Sequence, residues 1–184
     1  YQCPELMVAM KERGYEKPGD IFIEWLNEAN ELVKSHGKQT KIWNWWRFGE
    51  NETTLQPAKD IVVDVWNLPR QEQIIKDGYQ VVLTPESQLY VSPGLESDDG
   101  YGVVDIQKIF ESWQPIKHEN VLGYKVSIWS DKAEKHSDQW FEGKSVEAKA
   151  VLAEKIWGSK GSDSVDGLLK RLSAIGNAPF HGKH

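Results

Sequence analysis

The sequence is short of cysteine, of methionine, of basic charge and of long apolar runs. A single cysteine, Cys3, excludes an internal disulfide framework and leaves the compartment open. Beside Pro4, with no low-pKa surroundings legible, it reads as a spectator thiol rather than a nucleophile. Lys and Arg number 22 against 28 Asp and Glu, a net charge of −6. With no basic stripe either, a nucleic-acid partner is excluded. No run approaches the ~20 apolar residues that cross a bilayer. A GxGxxG turn and a Walker loop are both missing, which removes the usual dinucleotide and phosphate folds. The five histidines (His36, His118, His136, His181, His184) lack metal-ligand spacing, and His181–His184 reads as a frayed tail. The acidic run Glu96–Asp99 lacks the alternating oxygens of a calcium loop. No metal and no cofactor is implied. There is no internal repeat. Tyr1 follows no visible signal peptide and is not Met, so the chain is expected to be a processed product or a piece of a longer one.

What is present is tryptophan, nine in 184 residues. The length suits one domain with a sizeable core. Nine exceeds what that core needs, and several sit beside polar residues. Aromatic faces stack on the apolar C–H faces of sugars, so a carbohydrate site is the first expectation. Trp25 lies on the apolar stripe Ile21, Trp25, Ala29, Leu32, Val33 and reads as core. Trp113, Trp140 and Trp157 fit core packing equally well.

The order of elements predicts an α/β fold. Pro4–Gly14 reads as a turn. Asp20 reads as the N-cap of a helix over 21–36 that Gly37 ends. Strands are expected at 41–45, 61–66, 80–84 and 124–129. A helix from Pro69 to Asp77, one near 104–113, one capped by Ser145 and running to Trp157, and one over 165–175 ending at Gly176 complete the set. Leu89-Tyr90-Val91 falls in a loop framed by Pro85 and Pro93. Strands alternating with helices give about four β/α units in one segment, 1–184, which is half of a closed (β/α)₈ barrel. The alternative, an open doubly wound sheet, would ordinarily carry the phosphate loop that is missing here.

Barrel chemistry sits where the strands end. The first predicted strand ends Ile42-Trp43-Asn44-Trp45-Trp46, the second Asp64-Val65-Trp66-Asn67. The third is followed by Leu89-Tyr90-Val91-Ser92, and the fourth ends Ile128-Trp129-Ser130-Asp131. Every end offers an aromatic ring, and three add a polar group within two positions. Trp45 or Trp46 suits an outer subsite or the rim. Asp64, inside a buried strand, needs a basic partner or one exposed sheet face.

In this order and spacing the chain resembles the C-terminal half of a glycoside hydrolase family twenty β-N-acetylhexosaminidase barrel. Trp43, Trp66, Tyr90 and the Trp129-Ser130-Asp131 triplet match that family's strand-end residues. Val151–Trp157 resembles its final Ala-Glu-x-x-Trp element. The resemblance implies a (β/α)₈ TIM barrel and retaining hydrolysis of terminal β-linked N-acetylglucosamine or N-acetylgalactosamine. The nucleophile would be the substrate's own 2-acetamido oxygen. It implies that Trp43, Trp66 and Trp129 box the acetamido group, that Tyr90 hydrogen-bonds its oxygen, and that Asp131 holds the C4 or C6 hydroxyl. It also implies a secreted or cell-surface setting. Two positions depart from the family: Ser92 where an acid is common, and Asp131 where Glu is common. The shorter Asp131 side chain leaves room at the C4 side and resembles the subgroup of lacto-N-biosidases and some streptococcal surface hexosaminidases, so a monosaccharide and a disaccharide both stay open.

The family's general acid is a Glu preceded by an Asp, and the sequence contains no Asp-Glu pair. Asp98-Asp99 follows no strand. Alone the chain is expected to be inactive, and to pair with the N-terminal half of the barrel or with a second copy, because a half barrel leaves sheet edges open. The competing expectations are a non-catalytic carbohydrate-binding module and an unrelated α/β barrel glycosidase.

Overall fold

The computed structural model describes residues 3–44, 53–93, 102–131, 133–158 and 161–176. Two compact units divide them: Tyr1–Leu83 with Glu119–Leu122, and Thr84–His118 with Gly123–His184.

In the first unit, the stretch expected as a turn is a helix, α1 (Pro4–Arg13). Pro4 opens it where its missing N–H costs nothing, and Gly14 closes it at φ 70°. Helix α2 (Pro18–Ser35) starts before the predicted cap, again on a proline, and Gly37 at φ 65° follows its end as expected. Asp20 is therefore not a cap. It is buried in the first turn, and its carboxylate accepts from the Thr54 N–H (2.7 Å), the Thr54 hydroxyl (2.5 Å) and the Leu55 N–H (2.8 Å). The helix carries two apolar stripes. Ile23 and Leu26 are buried, whereas Phe22, Trp25 and Leu32 are 48%, 60% and 62% exposed. The stripe containing Trp25, read as core, is thus the outward one.

Strands β1 (Lys41–Trp43), β2 (Val62–Val65) and β3 (Val81–Leu83) run parallel in the order β1-β2-β3, and β5 (Val121–Tyr124) follows β3 in the same sheet. Helix α3 (Leu68–Lys76) links β2 to β3, close to its predicted span. The register pairs Trp43 with Asp64 and Asp64 with Val82. Since side chains alternate along strands, Lys41, Trp43, Val62, Asp64 and Val82 share one face. Val63, Val65, Val81 and Leu83 share the other, and all four are fully buried. β-Branched residues at nearly every position of β2 suit a strand covered on both faces.

In the second unit the segment expected as a loop is ordered: α4 (Glu86–Leu89) leads into β4 (Tyr90–Val91), and Leu89 and Val91 are fully buried. Helix α5 (Ile106–Glu111) is capped by Asp105, whose carboxylate accepts from the Lys108 N–H. The single strand expected over 124–129 is two, β5 and β6 (Ser127–Ile128), and β6 pairs with β4 instead of with the larger sheet. A 3-10 turn over Ala133–Lys135 precedes α6 (Asp138–Ile156). That helix starts at Ser137, not Ser145: the Ser137 hydroxyl accepts from the Trp140 N–H, and Ser145 is buried mid-helix. Helix α7 (Val165–Ile175) matches its predicted bounds, capped by Ser164 and ended by Gly176. The core joins Leu89, Ile109, Val151, Leu152 and Leu168, with Trp113 and Tyr124 against it.

Candidate active site

Each unit gathers part of the predicted site at its strand ends. In the first unit Trp43 closes β1 and Trp66 follows β2 by one residue, both half-buried. Asp64 lies between them in register, on the same face as Trp43, with the Lys41 ammonium at 3.5 Å from its Oδ1. The buried carboxylate that needed a partner therefore has Lys41, one rung away on its own face.

Asn44, inside the strand-end motif Ile42-Trp43-Asn44-Trp45-Trp46, carries no predicted role. It is fully buried, and its Oδ1 accepts from the Trp66 N–H at 3.1 Å. A polar amide between aromatic residues at a strand terminus marks the position in the sequence, but not the bond it makes.

In the second unit the register pairs Tyr90 with Ser127 and Val91 with Ile128. The Trp129 N–H donates to the Val91 carbonyl at 2.9 Å, which carries the ladder one rung past β6. Alternation then puts Tyr90, Ser127 and Trp129 on one face. The rings of Tyr90 and Trp129 meet there, centroids 5.5 Å apart and tilted by 48°. The Ser127 hydroxyl is 2.8 Å from that of Thr84. Tyr90 is 5% exposed, Trp129 39%, and Asp131 lies in the exposed turn beyond. Ser92 is buried, its N–H donating to the Gly102 carbonyl.

A cavity of about 190 Å³ beside Tyr90 is lined also by Glu86, Val104, Asp105 and Lys108. Burial pushes the Glu86 carboxyl above the ordinary carboxylate range against the pull of a backbone N–H. Trp113 donates through Nε1 to Gln88 (2.9 Å) and meets Tyr124 edge-on, which makes it structural. Trp140 stacks on His136 at 3.9 Å, while Trp157 is 84% exposed. Trp45, Trp46, Glu96, Asp98, Asp99, His181 and His184 lie outside the described residues. No helix among the described residues is long and apolar enough to cross a membrane.

Parallel strands joined by helices, with aromatic and polar groups at their C-terminal ends, are the α/β architecture of a barrel segment. The family model "Glycosyl hydrolase family 20, catalytic domain" matches residues 1–160, and the chain belongs to that family. This displaces the expectation of an unrelated barrel glycosidase. A lacto-N-biosidase of Bifidobacterium bifidum is 24% identical, over 76% of this chain and 13% of its own length. The exo-β-N-acetylglucosaminidase of Vibrio harveyi, solved in complex with N-acetylglucosamine, superposes with a TM-score of 0.70 at 19% identity. That match covers 92% of this chain and 28% of the other. A β-N-acetylhexosaminidase from Bacteroides fragilis also reaches 0.70, at 13% identity over 94% of this chain and 37% of the other. The chain thus spans well under half the length of these relatives.

Proposed function

We propose that this chain is the substrate-binding half of a retaining β-N-acetylhexosaminidase that works by substrate-assisted catalysis. Trp43, Trp66 and Trp129 box the 2-acetamido group of a terminal β-linked N-acetylhexosamine. Tyr90 donates its hydroxyl to the acetamido oxygen and fixes its angle below C1. That oxygen forms a bond to C1 as the glycosidic C–O bond breaks, and an acid protonates the departing oxygen. Water then opens the cyclic intermediate with overall retention. Holding an internal nucleophile in line contributes several kcal/mol, up to about 7–11 in model reactions. Asp131 accepts from a sugar hydroxyl, each such charge-assisted bond contributing about 1.5–3 kcal/mol.

The observation that carries this reading is the Tyr90–Trp129 ring pair, a phenol and an indole set on one face by the β4–β6 register. Asp131, one methylene shorter than Glu, leaves room beside C4. That room and the lacto-N-biosidase relative support the disaccharide-releasing subgroup. The acid and its neighbouring Asp come from elsewhere, since the sequence has no Asp-Glu pair, so the chain by itself is inactive. The partner that supplies them is the N-terminal half of the barrel. β1 stands at the edge of its sheet, and the Phe22–Trp25–Leu32 stripe of α2 is the apolar face the missing units would cover.

The test is Tyr90→Phe in the full-length protein, assayed on an aryl β-N-acetylglucosaminide. Turnover is expected to fall about a hundredfold with KM little changed. Unchanged turnover would overturn the assignment of Tyr90. A full-length protein that binds the sugar but never cleaves it would be the carbohydrate-binding module instead.

A further inference from the structure

We infer that Asn44 is a positioning residue that sets the spacing of the two tryptophans it joins, and so the size of N-acyl group the site accepts. The inference rests on the hexosaminidase reading above. Its basis is the way the β1–β2 ladder ends.

Parallel strands exchange slanted hydrogen bonds in a fixed alternation. Here the Val62 N–H donates to the Thr40 carbonyl (3.0 Å), and the Asn44 N–H donates to the Asp64 carbonyl (3.2 Å). The next rung of that series runs from the Trp66 N–H to the Asn44 carbonyl. The Trp66 N–H goes instead to the Asn44 side chain, Oδ1 at 3.1 Å. The last rung is made by an amide that stands in for its own backbone. Inserting Cβ and Cγ between strand and rung lets the chain after Val65 leave the ladder while it stays tethered to β1.

The two residues tied in this way are two of the three walls of the proposed box. Trp43 precedes Asn44 in the chain, and Trp66 hangs on its Oδ1. Asn44 is fully buried, so the tether has no water to compete with it. Its Nδ2 has no hydrogen-bond partner among the described residues. The acceptor is the atom that tethers Trp66.

The experiment compares the parent, Asn44→Ala and Asn44→Asp full-length proteins. The probes are p-nitrophenyl glycosides of β-N-acetyl- and β-N-propionylglucosamine. One extra methylene against a rigid wall is worth about 10–200-fold in kcat/KM. The parent is expected to prefer N-acetyl by that order, and Asn44→Ala to bring the ratio to within about threefold. Asn44→Asp keeps an acceptor oxygen, charged or protonated, and is expected to retain the preference. A variant that merely loses stability lowers both rates alike and leaves the ratio untouched. Amide exchange gives a readout independent of activity: the Trp66 N–H is protected in the parent and in Asn44→Asp, and exchanges faster in Asn44→Ala. A parent with N-acetyl preference and an unchanged Asn44→Ala ratio overturns the inference alone. A parent that cleaves neither glycoside overturns the hexosaminidase reading, and with it the role given to Asn44, even where the amide data show the tether.

Discussion

Asp20 offers the most direct test of how the first unit is held together. Its carboxylate takes three hydrogen bonds from two consecutive residues, the Thr54 N–H and hydroxyl and the Leu55 N–H, 34 and 35 positions away. Bonds to a charged acceptor contribute about 1.5–3 kcal/mol each when fully desolvated. Thr54 is exposed, so water can replace part of what it loses. Asp20→Ala is therefore expected to cost about 3 kcal/mol rather than the sum of three. At 2–4 °C per kcal/mol for a chain of this size, that lowers Tm by roughly 6–12 °C. The pH dependence is the sharper signature. Burial raises the carboxyl's pKa, but the Thr54 hydroxyl, the Leu55 and Thr54 N–H groups and the Lys17 charge together lower it below the ordinary value. A lowered folded-state pKa means that the unfolded chain binds the proton more readily. The stability Asp20 supplies is then complete above the unfolded value, about 3.9, and is lost as pH falls through the folded one. In urea melts, the gap between parent and Asp20→Asn should be widest near pH 6 and close as the pH drops below 4. A gap of constant size would refute the account, because the protonated carboxyl would then be doing what is ascribed to the charged one.

Two further expectations follow from the same structure. Trp25→Ser should change the urea-melt stability of this chain by no more than about 0.5 kcal/mol, since the indole is mostly solvated. It should weaken capture of the separately expressed N-terminal half, and unchanged capture would remove α2 from that interface. Ser137→Ala should cost about 1 kcal/mol by loss of the cap on α6, whereas Ser145→Ala, within the helix, should not be destabilising in that way. The reverse ranking in urea melts would restore the later helix start.

The elements read most accurately from sequence are those whose signals are local. β2 is a run of β-branched residues, and α7 lies between a serine cap and a terminal glycine, so both stand where predicted. The misreadings share a physical cause. Asp20 and Ser145 are good caps by type, but Pro18 and Ser137 lie upstream and begin their helices first. Burial then recruits Asp20 to a distant loop. The Trp25 stripe reads as core because it repeats at helical spacing, and no pattern says which of two stripes on a helix will be covered. The break between β5 and β6 depends on a partner strand, β4, that is two residues long and reads locally as loop. At the site, aromatic side chains at strand ends were legible by position. The Lys41 partner of Asp64 and the amide rung at Asn44 were not, because both exist only once the β1–β2 register is set.

The same register logic explains why the candidate site residues recur at alternate positions. Trp43 is opposite Asp64, and Trp66 stands two residues on; Tyr90 is opposite Ser127, and Trp129 stands two residues on. In both pairs of strands the aromatic residue beyond the shorter ladder is retained by one extra rung, from the Trp129 N–H to a backbone carbonyl in one and from the Trp66 N–H to a side-chain amide in the other. A rung past the last paired residue holds the backbone while the neighbouring strand has already diverged, which lets a large ring stand at the strand end with its backbone N–H satisfied. The two rungs differ in what mutation can reach. No side-chain substitution removes the Val91 carbonyl, so the rung at Trp129 does not depend on any side chain. The rung at Trp66 runs through the Asn44 side chain, so one substitution removes it without rebuilding a strand.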